Sequence, residues 1–372
     1  MTDAPADATA DTSPYSPGLA GVVAGETALC MIDGERGRLL YRGYRIGDIV
    51  EHGTYGAVAN LLWTGDWDPS HHLSTGPIPP EVLTVLRTLP TTTKPMDALR
   101  TAVSTWGAVS DLSWPPTPGQ ARALTSASPS MLAAFARLRE GLEPVESDPS
   151  LDLVSGFLYQ LKGVRPDSGT AKALDAYFMV GAEHSFTAST FTARVIISTR
   201  SAIASAVAGA IGTMKGPLHG GAPSEVVDQL GKIGSPEHAE AWLNDALDRK
   251  ERLMGFGHRV YRAYDPRAAA LRKVAESMPN PPDWLQTAIA VEDVALRVLK
   301  QRHPERALMT NVEYYAAPVL LGVGLTPDLF PATFSLARHA GWTAHVLEQA
   351  AEDRLIRPDV RYVGPPERDL LA

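Results

Sequence analysis

Residues 255–267 read GFGHRVYRAYDPR, with His258 between glycines and three arginines and Arg259, Arg262 and Arg267 close behind it. Such a stretch is either a basic surface turn or a device that holds an anion while the histidine does chemistry. From Arg249 to Lys273 there are eight Lys or Arg against two acids, Glu251 and Asp265, in a chain whose net charge is −8. Arginine's planar fork suits paired capture of carboxylate or phosphate. A turn at Asp265-Pro266 would let Arg262 and Arg267 converge on one anion. A solvated helix end is the bland alternative, but glycines on both sides of Phe256 would cost such a helix stability.

Two further stretches carry candidate chemistry. In MKGPLHGGAPSE, residues 214–225, His219 lies between a Gly-Pro turn and Gly220-Gly221, where backbone can approach a ligand closely. A helix starting near Pro223 would disfavour protonation of that histidine; the pattern equally allows a simple turn histidine. In TNVEYYAAP, residues 310–318, Glu313 sits in an apolar run. Lost solvation would raise its pKa toward that of a useful general base; the other reading is a glutamate at the polar edge of a helix. His184 in GAEHSFTAST stands between two helices, Arg338 lies on an amphipathic helix, and Arg357 precedes a proline near the C-terminus.

The elements that must position these residues are mostly helices. YGAVANLLW, PEVLTVLRTL and AKALDAYFMVGAEH show apolar residues at helical spacing, and SAIASAVAGAIG reads as a buried helix whose neighbours approach closely. Three more helical runs cover 237–253, 283–301 and 331–353. Apolar and polar residues alternate on either side of DGERG, residues 33–37, which predicts a short N-terminal β-hairpin. Residues 112–150, rich in Pro, Ser and Ala, read as a loop with one helix inside. Residues 1–17, acidic and Ala/Pro-rich, read as a disordered tail.

Composition narrows the function. The 372 residues are 44% hydrophobic and 20% charged, as expected of a soluble globular protein of two domains or one large one. The acidic balance argues against nucleic acid or a membrane as partner, and the least charged long segment, 185–212, contains Arg194 and Arg200. Cys30 is the single cysteine, so no internal disulfide or cysteine-based metal site is expected. No signal peptide is recognised, and the expected location is the cytoplasm. The sequence has no GxGxxG after a strand, P-loop, HExxH or nucleophile elbow.

In order along the chain, GLAGVVAGETALCMIDGERGRLLYRGYRIGDI, PMDALRTAVSTWG, EHSFTAST, GPLHGG, GFGHRVYRAYDPR, NVEYY and ARHAGWTAHVLEQ resemble the citrate synthase family, from about Gly18 to the C-terminus. The resemblance implies a mainly α, two-domain fold: a large helical domain of residues 18–218 plus 319–372, and a small domain of 219–318, in a homodimer of the short, non-hexameric type. It implies the condensing step of the tricarboxylic acid cycle, in which acetyl-CoA, oxaloacetate and water give citrate and CoA. No cofactor or metal is called for; acetyl-CoA is the co-substrate.

By that resemblance His219 donates a hydrogen bond to the thioester oxygen, His258 polarises the ketone of oxaloacetate, and Glu313 removes the methyl proton. His184, Arg267 and Arg338 would hold oxaloacetate, joined by Arg357 from the other subunit; Arg262, Lys215 and Arg259 would serve CoA. The chain departs from the family where NVE replaces the usual NVD, where EHSFTAST replaces DHE-NAST, and where ALMTNVE lacks the lysine often found before PNVD. The alternatives are a 2-methylcitrate synthase using propionyl-CoA, or a CoA- and dicarboxylate-binding homologue without turnover.

Overall fold

A computed structural model describes residues 15–219, 222–258, 260–278 and 281–369. Of the expected tail, residues 1–14 and the call of disorder there lie outside the described residues, while Pro17–Leu19 form a 3-10 turn. The hairpin forms as expected from β1 (Cys30–Asp33) and β2 (Arg38–Tyr41), and a short β3 (Tyr44–Arg45) extends it to an antiparallel sheet of three strands.

Helices make up the remainder. After the sheet come α1 (Ile46–His52), α2 (Tyr55–Thr64), α3 (Pro80–Thr88), α4 (Pro95–Val109) and α5 (Pro118–Arg139). Next are α6 (Leu153–Lys162), α7 (Ser168–Gly181), α8 (Ala188–Ile197), α9 (Ile203–Met214) and α10 (Ala222–Ile233). The chain continues through α11 (Pro236–Asp248), α12 (Pro266–Glu276), α13 (Leu285–Arg302), α14 (Val312–Gly322) and α15 (Phe330–Glu352).

The spine is α15. Its buried residues run around most of its circumference, as a helix enclosed by others requires, and it packs on α2, α5, α7, α8 and α9. Small residues let these neighbours close in: a Cβ at Gly209 would strike Ile196, and one at Gly107 would strike Ala204 on α9. The expected close packing of α9 is therefore present. A second group packs α11 on α13 and both α10 and α12 on α14; α7 touches α12 and α14 and joins the two groups.

Two expectations need correction. Residues 112–150 are not mainly loop, because α5 occupies 22 of them. Thr117 and Gln120 cap it reciprocally, side chain to backbone in both directions, and its buried Ala-rich face packs on α4, α6 and α15 despite the internal Pro129. The run expected over 237–253 ends at Asp248, since Lys250 turns to φ +60°.

Candidate active site

Two loops meet to build the site. Gly257 N–H donates to Met309 O at 2.8 Å and Asn311 N–H to Gly255 O at 2.9 Å, so residues 255–257 run antiparallel to 309–311. Asn311 Nδ2 adds a bond to Gly257 O at 2.9 Å. Gly255 and Gly257 have φ of +84° and +79°, which suits glycine. A Cβ on Gly255 would lie 2.6 Å from the ring of Tyr314. The glycines that flank Phe256 thus bring His258 beside the start of α14. The hairpin tip braces the same segment from outside, with Arg262 N–H donating to Gly34 O at 2.9 Å.

Asp265 caps α12. Its Oδ1 accepts from Arg267 N and Nε, both at 3.0 Å, and its Oδ2 accepts from Arg267 Nη2 at 2.7 Å. Both residues are buried. Burial alone would lower the Arg267 pKa, but the carboxylate outweighs it and holds the guanidinium charged. The pair uses Nε and Nη2, so the Nη1 edge is left for an incoming carboxylate. Arg262 is exposed. The two arginines therefore do not converge, because Asp265 draws Arg267 inward.

Two of the site's histidines have a definable tautomer. His258 Nδ1 accepts the N–H groups of Val260 at 3.0 Å and Tyr261 at 3.2 Å. Backbone amides only donate, so the proton sits on Nε2. Burial, then the Arg267 charge, pushes this histidine down to about 4, and it is neutral at pH 7. His219 is the reverse: its Nε2 accepts from Ser189 N–H at 3.4 Å and lies 2.8 Å from Ser189 Oγ. Its proton is therefore on Nδ1, and burial, then Arg338, lowers its pKa. Trp342 Nε1 donates to Ser189 Oγ at 3.1 Å and fixes that hydroxyl. Two neutral N–H donors with opposite tautomers result.

His184 lies between α7 and α8, buried, edge-on to His258 with ring centres 5.3 Å apart. Its Nε2 is 3.4 Å from Tyr261 Oη. Burial, then Arg267, Arg338 and the other two histidines, depress its pKa well below the usual value. Arg338 on α15 donates from Nε to Gly181 O at 2.6 Å and lies over the Phe334 ring, while its Nη1 is buried without a protein partner. Such an orphaned donor costs stability unless a ligand meets it, and a carboxylate is the ligand it suits.

Glu313 lies in the first turn of α14. Its Oε2 is sealed from solvent without a protein partner. Burial raises its pKa although Arg267 pulls the other way; the residue is half-buried and not locked in a salt bridge. That is the state a carbon-acid base needs.

A cleft of about 990 Å³ opens from His258 and Phe256, with Lys250, Arg252, Arg262 and Arg306 among its lining residues. Of the CoA candidates, Arg262 is there. Lys215 instead pairs with Asp97 at 2.6 Å and is absent from the cleft lining, and Arg259 lies outside the described residues. Arg357 is exposed on the irregular segment after α15. Sequence reasoning missed Ser189 and Trp342, both inside quoted motifs, and the cleft cations Lys250, Arg252 and Arg306. The count of basic residues from 249 onward was the available signal for the first two of these cations.

Fold and site together define a mainly helical protein whose site gathers three histidines of lowered pKa, two buried arginines and a half-buried carboxylate. The family model for the citrate synthase C-terminal domain matches residues 18–359. Citrate synthase 2 of Bacillus subtilis is 36% identical, with 94% of this chain and 96% of that protein covered. Citrate synthase of Haloferax volcanii is 38% identical, covering 95% and 96%. The structure of Thermoplasma acidophilum citrate synthase in ternary complex with carboxymethyl coenzyme A and oxaloacetate superposes with a TM-score of 0.86 at 29% identity, covering 96% and 98%. The chain belongs to the citrate synthase family.

Proposed function

We propose that this protein condenses acetyl-CoA with oxaloacetate and water to give citrate and CoA. The observation that carries the proposal is the pair of neutral histidines with opposite tautomers, His219 proton on Nδ1 and His258 proton on Nε2, each fixed by donor-only amides. A thioester α-proton is so weakly acidic that a carboxylate removes it only where a preorganised donor meets the developing oxyanion. Glu313 takes the methyl proton while His219 Nδ1–H stabilises the thioester oxygen. The resulting enolate carbon attacks the ketone carbon of oxaloacetate, whose oxygen His258 Nε2–H polarises. Water then cleaves the citryl thioester, releasing citrate and CoA.

Arg267, Arg338 and His184 hold the oxaloacetate carboxylates, with Arg357 supplied by a second copy of the chain in a homodimer. CoA lies in the cleft past His258, where Arg262, Lys250, Arg252 and Arg306 offer cations to its phosphates. Residues 219–318 act as a small domain that closes on a large one, excluding water until the carbon–carbon bond has formed. The enzyme is an acyltransferase that converts the acyl group to an alkyl group on transfer. Among the described residues no helix is long and apolar enough to cross a membrane, and the reading places the protein in the cytoplasm.

The test is release of free CoA thiol with oxaloacetate, acetyl-CoA against propionyl-CoA. A clearly higher kcat/KM for acetyl-CoA is expected. One methylene discriminates by only about 1–3 kcal/mol, so a higher value for propionyl-CoA would make 2-methylcitrate the product. If neither turns over while oxaloacetate still raises the Tm, the chain is a binding protein.

A further inference from the structure

We infer that Glu183 is a positioning residue for the oxaloacetate contact His184, acting through the backbone of Ser185 and anchored by His345 and Arg194. The inference rests on the dicarboxylate reading of the site.

His184 is flanked by the two residues in question. Ser185 has φ +56°, a left-handed conformation that a residue with a Cβ adopts only when its surroundings hold it there. The holding group is the Glu183 carboxylate, whose Oε1 accepts Ser185 N–H at 2.5 Å. Thr187 N–H closes the turn on Ser185 O at 2.8 Å. The direction of this turn places the His184 ring against His258 and Tyr261.

The carboxylate is itself fixed from behind. Glu183 and His345 are both fully buried, with His345 Nε2 2.9 Å from Glu183 Oε1. Arg194, also buried, donates from Nη1 to His345 Nδ1 at 2.9 Å. An arginine only donates, so His345 Nδ1 accepts and its Nε2–H points at Glu183. Arg194 in turn bonds Glu348 Oε2 at 2.6 Å and Gln349 Oε1 at 2.9 Å on α15. Gly341 makes room on the same helix, since a Cβ there would collide with Glu183 Oε2 and with Ala182 O.

Apolar residues of similar volume would fill such a space without loss of stability. They would not clamp the Ser185 amide. Burial lowers the Arg338 pKa and the Glu183 charge opposes that shift, so the same carboxylate also bears on the second oxaloacetate contact.

The experiment measures the oxaloacetate Kd by calorimetry, with the acetyl-CoA KM alongside, for the full-length chain and three variants. Glu183→Ala is expected to weaken oxaloacetate binding by about tenfold or more, as loss of a hydrogen bond to a charged group does, with the acetyl-CoA KM little changed. Glu183→Ala combined with Ser185→Gly should recover most of that loss, because glycine takes positive φ without a clamp. Should Glu183→Ala fail to fold, His345→Phe keeps the volume, removes the donor to Glu183, and should weaken oxaloacetate alone. An unchanged Kd in the folded variants, or no recovery with Ser185→Gly, would overturn the inference. A wild-type chain that binds oxaloacetate without turnover would instead count against the proposed reaction, and the order of Kd values would still test Glu183.

Discussion

The Asp265 carboxylate accepts the amide N–H of Val312 at 3.2 Å, across 47 positions of sequence. Because the same group neutralises Arg267, one side chain joins the start of the arginine's helix to the start of the helix that carries Glu313. Removing it as Asp265→Ala leaves a buried guanidinium unpaired, which costs on the order of 3–5 kcal/mol. Urea denaturation should show that loss together with weakened oxaloacetate binding. Full stability in the variant would mean that Arg267 finds another partner.

Ser189 sets the His219 tautomer with its amide and its hydroxyl. Ser189→Ala removes only the hydroxyl and one hydrogen bond worth about 0.5–1.5 kcal/mol, so kcat should fall by up to about tenfold, with both KM values nearly unchanged. Steady-state kinetics checks the split. A change confined to KM would place Ser189 in binding rather than in the stabilisation of the enolate.

Arg338 binds through Nε to Gly181 O and presents a buried Nη1. Arg338→Lys keeps the charge and loses the fork. Oxaloacetate affinity should drop by about tenfold, or about 1.4 kcal/mol, as read by calorimetry.

The pH dependence follows from the buried groups. Folding lowers the His258 pKa from its usual 6.5 to about 4 and lowers that of His184 as well. At these two histidines the unfolded state binds more protons in that window, so their contribution to stability is present above about pH 6.5 and is lost as pH falls toward 4. Measured without substrate, Tm should fall less with acidification over that range in His258→Asn than in the wild type. Activity has its own acid limb, because burial raises the Glu313 pKa. Turnover should fall with acidification at a pH above the ordinary carboxylate range.

Much of this was legible from residue types. Helical periodicity found α2, α7 and α15, a run of small apolar residues found α9, and alternation around DGERG found the hairpin, because those signals are local. His219, His258 and Glu313 stood out as polar residues among glycines or apolar neighbours. What stayed hidden depends on tertiary contact. Asp265 read as a turn residue, yet it is the buried partner of Arg267, and that partnership separates Arg267 from Arg262. Lys215 read as a cation for CoA, yet Asp97, 118 positions away, holds it. In α5, loop-like composition is overridden by a reciprocal cap and by burial against three helices.

The central claim is that Glu313 is the base of a citrate-forming reaction. It is tested most directly by following free CoA thiol from acetyl-CoA and oxaloacetate with the wild type, Glu313→Gln and Glu313→Asp. Turnover is expected from the wild type, with a loss of about a hundredfold to ten-thousandfold in Glu313→Gln and activity within about tenfold in Glu313→Asp, where the base remains. Full turnover by Glu313→Gln would contradict the claim.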